Sequence, residues 1–151
     1  MNTTLHLAAV FSALILFSGC RTIPAETASP LSAGEQEQQK AASLRIGTNI
    51  LTALQKNDYR LLLANIPGEL QTQITRRDFE TSRQNFERQF GTITGFRHLT
   101  DLKTPAVTNM VWVVEFERRS STGTRIGQEL MFRLVTAQVD NTTRVLSYGF
   151  F

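Results

Sequence analysis

An α+β fold, with N-terminal helices packed on a curved four-stranded antiparallel sheet, is predicted by three features of this 151-residue chain. Apolar residues recur at three- and four-residue steps through residues 44–54 and again through 79–90, the period of helices that bury one face. Across residues 108–119 they alternate instead, so that Met110, Trp112, Val114 and Phe116 share one side of a strand. Turn chemistry at residues 120–123 and at Asp140-Asn141 then divides the rest of the chain into strand-length pieces. Strands joined by short loops form an antiparallel meander, and its apolar face needs the helical stripes laid across it.

The chain opens with a hydrophobic run, residues 5–17, that is too short to cross a bilayer as a helix and suits the core of an export signal. Leu16, Phe17, Ser18 and Gly19 lead into Cys20, the single cysteine. This pattern is similar to the lipobox of bacterial lipoproteins. The resemblance implies that residues 1–19 are a signal peptide, that the Cys20 thiol receives a diacylglyceryl group, and that the mature chain begins there. Arg21 follows the cysteine, and by the same resemblance a residue other than aspartate implies the outer membrane, facing the periplasm. Several buried acyl chains would hold such a protein on a surface, each methylene adding about 0.8 kcal/mol. Residues 20–34 are rich in Thr, Ala, Ser and Pro and read as a flexible tether. A single domain, residues 35–151, follows.

Within it the first helix starts at Glu35 and stops at Asn57-Asp58, where the aspartate is placed to cap a short helix from Tyr59 to Ile66. Pro67-Gly68 breaks the chain, and residues 69–74 have the makings of one more helical turn. Thr75 and Asp78, three apart, approach a capping box ahead of Phe79, Phe86 and Phe90, which point one way. Gly91 is expected to end that helix as a left-handed cap. Residues 92–102 form the first strand, with Gly95 inviting a bulge, and Lys103, Thr104 and Pro105 turn the chain. In the second strand, residues 108–119, the side opposite Trp112 changes from Val111 and Val113 to Glu115 and Glu117, as in a strand that leaves cover at that end. Residues 124–139 and 143–151 complete the sheet.

The formal charge of +3 is a mild excess of arginine, and Arg76, Arg77, Arg83, Arg88, Arg118 and Arg119 form no dense stripe interleaved with stacking aromatics. Nucleic acid is therefore not an expected partner. Beyond the signal only His98 remains as a histidine, so no metal site and no cofactor are expected. Catalytic residues are assigned to none. His98 with Asp101, Glu115 with Glu117, and Tyr148 are the polar groups from which an acid or base could be drawn, and the two glutamates are expected to be solvated or paired with residues such as Arg133.

Helices first, then an antiparallel sheet, resembles the nuclear-transport-factor-2-like cone, also called cystatin-like, and in particular its small exported bacterial members of uncharacterised function. The residues carrying the likeness are Lys56, Asn57, Asp58 and Tyr59 at a helix junction, the helix from Thr75 to Phe90, Gly91, and Tyr148, Gly149, Phe150 and Phe151 at the end. The resemblance implies a cone-like domain that presents a concave sheet. The expected function is a lipid-anchored, non-enzymatic protein of the cell envelope that binds a small apolar ligand or another envelope protein, with Trp112, Tyr148, Arg133 and His98 on the binding face. The alternative is a small cavity enzyme of isomerase or hydrolase type using His98 or Glu115. A purely structural or inhibitory interaction module is a third possibility.

Overall fold

The structure, a computed structural model, describes residues 32–103 and 107–151. The expected signal peptide, Cys20, the tether up to residue 31 and the turn at Thr104 and Pro105 lie outside the described residues. Among the described residues four helices precede four strands: α1 (Ala33–Lys56), α2 (Tyr59–Leu63), α3 (Gly68–Gln71), α4 (Arg76–Phe90), β1 (Thr92–Lys103), β2 (Thr108–Arg119), β3 (Arg125–Val139) and β4 (Thr142–Phe150). The strands form one antiparallel sheet in the order β1-β2-β3-β4, so the architecture is α+β.

Helix α1 begins two residues before Glu35 because Ser32 can cap it. The Ser32 hydroxyl accepts from the Glu35 amide, and the Glu35 carboxylate accepts from the Ser32 amide at 2.7 Å, which satisfies two of the free donors at the helix start. Asn57 ends α1 in the left-handed conformation (φ 57°, ψ 38°), and Asp58 caps α2 by accepting from the Leu61 amide at 3.0 Å.

The inner face of the sheet carries Met110, Trp112, Val114 and Phe116 from β2, with Phe132 and Leu134 from β3, all buried. Helix α1 lies across this face and touches all four strands, burying Ile46, Ile50, Leu51 and Ala53. It comes close to the sheet at Gly47, where a Cβ would stand 2.2 Å from the Trp112 ring. A second tie is polar. Ser43 donates to the Gln39 carbonyl at 2.8 Å, which spends its only proton, so in the 2.7 Å contact with Thr136 the threonine must donate. Both hydroxyls are fully buried and satisfied, and they fix the register of α1 over β3.

On the outer face Val111 and Val113 are buried whereas Glu115 is exposed, the change of cover expected along β2. Register shifts occur between Ile93 and Gly95, between His98 and Thr100, and between Val135 and Thr136. Such bulges bend the strands they interrupt. The β3–β4 turn is made by Asp140 (φ 49°) and Asn141 (φ 56°), the paired positive φ of a tight hairpin, in two residue types that tolerate it.

Candidate functional site

The aromatic stripe of α4 shapes the site. Thr75 and Asp78 form a full capping box at its start, and at its end Gly91 passes the chain directly into β1. Gly91 is not the left-handed cap expected from the sequence. Its φ of 96° is positive, but its ψ of −170° is extended, a combination essentially confined to glycine. A Cβ there would also meet the Glu117 carbonyl at 2.2 Å. The end of the helix is thereby held against the sheet.

Phe79 is buried and packs on Tyr59 with ring centroids 5.8 Å apart, and the Tyr59 hydroxyl donates to the Ile74 carbonyl at 2.6 Å. Phe86 sits 4.6 Å from Phe150 and 5.9 Å from Phe116, and Phe90 sits 6.1 Å from Phe116. Between these contacts lies a cleft of about 440 Å³. Leu54 of α1, Leu62 of α2, Phe79 and Phe86 of α4, and Phe116 and Phe150 of the sheet give it apolar walls. The volume falls in the range of sites for small molecules, and apolar walls with a few polar groups are their usual lining.

Four ionisable groups border the cleft: Asp78, Arg83, Glu87 and Tyr148. The Asp78 carboxyl is held below the ordinary carboxylate range, first by the Thr75 hydroxyl and then by the Thr75 amide. Arg83 is bonded to Glu87 one turn along α4 through Nη1. Its Nε is buried and meets no acceptor, the one such side-chain atom among the described residues. Burial raises the Tyr148 phenol above its ordinary value, so it stays protonated.

The four residues expected on one binding face are not brought together. Trp112 is 1% exposed beneath α1, edge-on to Phe132 at 5.9 Å, because the sheet face that was to present it is the face α1 covers. His98 pairs with Trp112 across β1 and β2, its ring 5.4 Å away, and is itself exposed. Arg133 projects from the opposite side of the sheet, where its guanidinium is bonded to Asn109 Oδ1. Tyr148 alone of the four borders the cleft. Asp101 is engaged by Lys40 of α1 at 3.2 Å and Glu117 by Arg125 at 3.6 Å, so neither the His98–Asp101 pair nor a link from the glutamates to Arg133 forms. Neither His98 nor Glu115 lines the cleft.

Arg83 and Phe150 were missed as site residues, and Phe86 was read only as core. A signal for Arg83 existed: counting from Phe79 by four, seven and eleven gives Arg83, Phe86 and Phe90, so the arginine falls inside the apolar stripe. A charge in that position either leaves the core or faces a hollow in it. Here it faces a hollow.

No family model and no curated protein matches this chain. Among solved structures it is similar to a SEC-C motif containing protein from Rhodopseudomonas palustris, at 12% identity and a TM-score of 0.48 over 72% of this chain and 79% of that one. It is also similar to the intermembrane space region of the chloroplast protein ARC6, at 8% identity and a TM-score of 0.36 over 82% of this chain and 98% of that one. Likeness at this level bears on neither family nor function.

Proposed function

We propose that the chain is a lipid-anchored protein of the cell envelope whose domain, of the cone-shaped cystatin-like kind, binds a small apolar ligand and does not transform it. The observation that carries the reading is the cleft between α4 and the sheet, with walls of leucine and phenylalanine. Its charged neighbours are already committed, Asp78 to the α4 cap and Glu87 to Arg83, while His98 and Glu115 lie elsewhere. The membrane side of the proposal rests on Leu16 to Cys20 for the anchor and on Arg21 for the outer membrane facing the periplasm.

One preparation tests both halves. Envelope vesicles from cells fed labelled palmitate are irradiated with an apolar aryl diazirine, and the adducts are mapped by peptide mass spectrometry. Palmitate should label the wild type and not Cys20→Ala. Adducts should concentrate on residues 79–93 and fall severalfold in Ser82→Trp, which places an indole at the cleft mouth. Equal palmitate incorporation would remove the anchor, and adducts indifferent to Ser82→Trp would remove the cleft as a binding site.

A further inference from the structure

The two edges of the sheet are finished differently. Along β1 the Gln55 amide donates to the Ile93 and Thr94 carbonyls at 3.4 Å, and Arg97, His98 and Asp101 stand in the strand. An edge furnished in this way resists pairing with another chain. The opposite edge is β4. From Val145 to Phe151 it carries neither charge nor proline, and among the described residues no hydrogen bond from outside the sheet reaches the backbone of Tyr148 or Phe150.

The register defines what this edge offers. The Phe151 amide donates to the Met131 carbonyl at 3.0 Å, and Phe150 stands opposite Phe132. Bonded and non-bonded pairs alternate in an antiparallel ladder, so Ser147 and Gly149 turn their peptide groups to β3 while Tyr148 and Phe150 turn theirs outward. A strand added antiparallel to β4 therefore bonds to Tyr148 and Phe150. Residues opposite one another share a face. Its two side chains across from Tyr148 and Phe150 lie on the inner face, where those residues border the apolar cleft, and the side chain between them lies on the outer face, across from Gly149.

On that outer face Arg133 stands opposite Gly149 and borders, with Ser147 and Phe151, a second hollow of about 240 Å³. Its guanidinium bonds to the neutral Asn109 side chain and meets no carboxylate among the described residues. Two strand spacings, roughly 10 Å, separate Arg133 from an added strand. An arginine and an acidic side chain span that distance together, and Gly149 places nothing between them. A second copy of this chain lacks the complement, since residues 142–151 contain no acidic residue to set against Arg133.

We infer that the free edge of β4 takes an extended segment of a partner protein in which two bulky apolar residues flank an acidic one. The apolar side chains enter the cleft and the carboxylate meets Arg133. Main-chain bonds supply affinity in such pairing, and the alternating side chains supply specificity. The inference goes beyond the small ligand proposed above, with which the segment shares the cleft.

The test uses the full chain in vesicles and a fluorescein-labelled, end-blocked peptide, Thr-Thr-Leu-Glu-Phe-Thr-Thr, with binding read as fluorescence sedimented above that of protein-free vesicles. In the pairing described the Leu and Phe amides of the peptide donate to β4 and its Glu amide points away. N-methylation of Leu and Phe should weaken binding at least about tenfold, and N-methylation of Glu at most about twofold. Glutamine in place of the peptide's Glu, and Arg133→Gln in the protein, should each weaken binding about threefold, and together no more than either alone. Equal loss from the two kinds of N-methylation overturns the inference, as does a failure of the unmodified peptide to bind. Rapid disulfide pairing of Ser147→Cys between two copies, prevented by excess peptide, would assign the edge to a second copy and overturn it too. Saturating peptide should also cut the aryl diazirine adducts on residues 79–93 severalfold. Undiminished adducts overturn the inference and leave the small ligand standing, whereas the expected peptide binding without any diazirine adducts upholds it and removes the small ligand alone.

Discussion

At Gly47 a single hydrogen atom decides whether α1 can lie on the sheet. Alanine in its place would gain about 1 kcal/mol of helix propensity. The added methyl would stand 2.2 Å from Trp112 Cη2, and the ring cannot swing aside because it is buried between α1, His98 and Phe132. Overpacking of this kind costs about 1–3 kcal/mol and here should outweigh the propensity gain. Gly47→Ala should therefore lower the urea midpoint with an unchanged slope, by an amount that corresponds to a net loss of up to about 2 kcal/mol. A midpoint at or above the wild-type value would mean that α1 does not bear on Trp112 as described. The same contact explains why Trp112 was misplaced in the sequence reading. Alternation assigns Met110, Trp112, Val114 and Phe116 to one apolar side of β2, but it cannot distinguish a side that greets a ligand from one already covered by a helix. Gly47 was the missing clue, a glycine within an otherwise unbroken helical pattern, which signals close approach by a large neighbour.

The elements themselves were largely legible because each is announced locally. Asn57-Asp58 stops one helix and starts the next, Thr75 and Asp78 cap α4, and Asp140-Asn141 closes the last hairpin, all through side-chain or backbone properties of the residues named. The pairing of α1 with β3 was not legible, since it rests on Ser43 and Thr136, which are 93 positions apart and individually unremarked. Their contribution is directional. With the Ser43 proton donated to Gln39, Thr136 is the donor between them, so Ser43→Ala strands a buried O–H while Thr136→Val leaves only a serine lone pair unused. Stranding a buried donor costs about 1–3 kcal/mol. Ser43→Ala should accordingly destabilise more than Thr136→Val, and the double variant should lose less than the two single losses added together. Calorimetric or urea stabilities of the four proteins provide the cycle, and strict additivity would show that the hydroxyls are not coupled. The left-handed cap expected at Gly91 illustrates the same limit. A glycine after a helix was correctly read as special, but its actual role is set by the Glu117 carbonyl, which belongs to another strand.

Across the whole molecule, a series of rings runs from Trp112 through Phe132 and Phe150 to Phe86, with successive centroids 5.9, 5.3 and 4.6 Å apart. One end is sealed by α1, and the other borders the cleft under α4. Beyond the position of Arg83 the sequence gives no sign of the hollow, because α1, α2, α4 and all four strands each contribute part of its wall. Tyr148 reports on that hollow. Its phenol is driven up from an ordinary value of 10.0 by burial, which disfavours the charged form. In the unfolded chain the phenol ionises near its ordinary value, whereas in the folded protein it holds its proton to higher pH. Between those two values the folded state binds more protons than the unfolded state, so stability is complete below about pH 10 and falls as pH rises beyond it. Tyr148→Phe cannot ionise. The stability difference between wild type and Tyr148→Phe should therefore be constant from pH 7 to about pH 9.5 and then move against the wild type, by up to about 1 kcal/mol at pH 11. Other groups that titrate in this range act on both proteins and cancel in the difference. An occupant that displaces water from beside Tyr148 should leave the onset where the unfolded chain sets it and carry the fall on to higher pH, because it adds to the desolvation that raises the folded-state value. Urea titrations of both proteins across this pH range, with and without the apolar aryl diazirine kept in the dark, measure the effect. A flat difference throughout would show that Tyr148 is wet, and that the cleft is open to solvent at the point where a ligand is meant to close it.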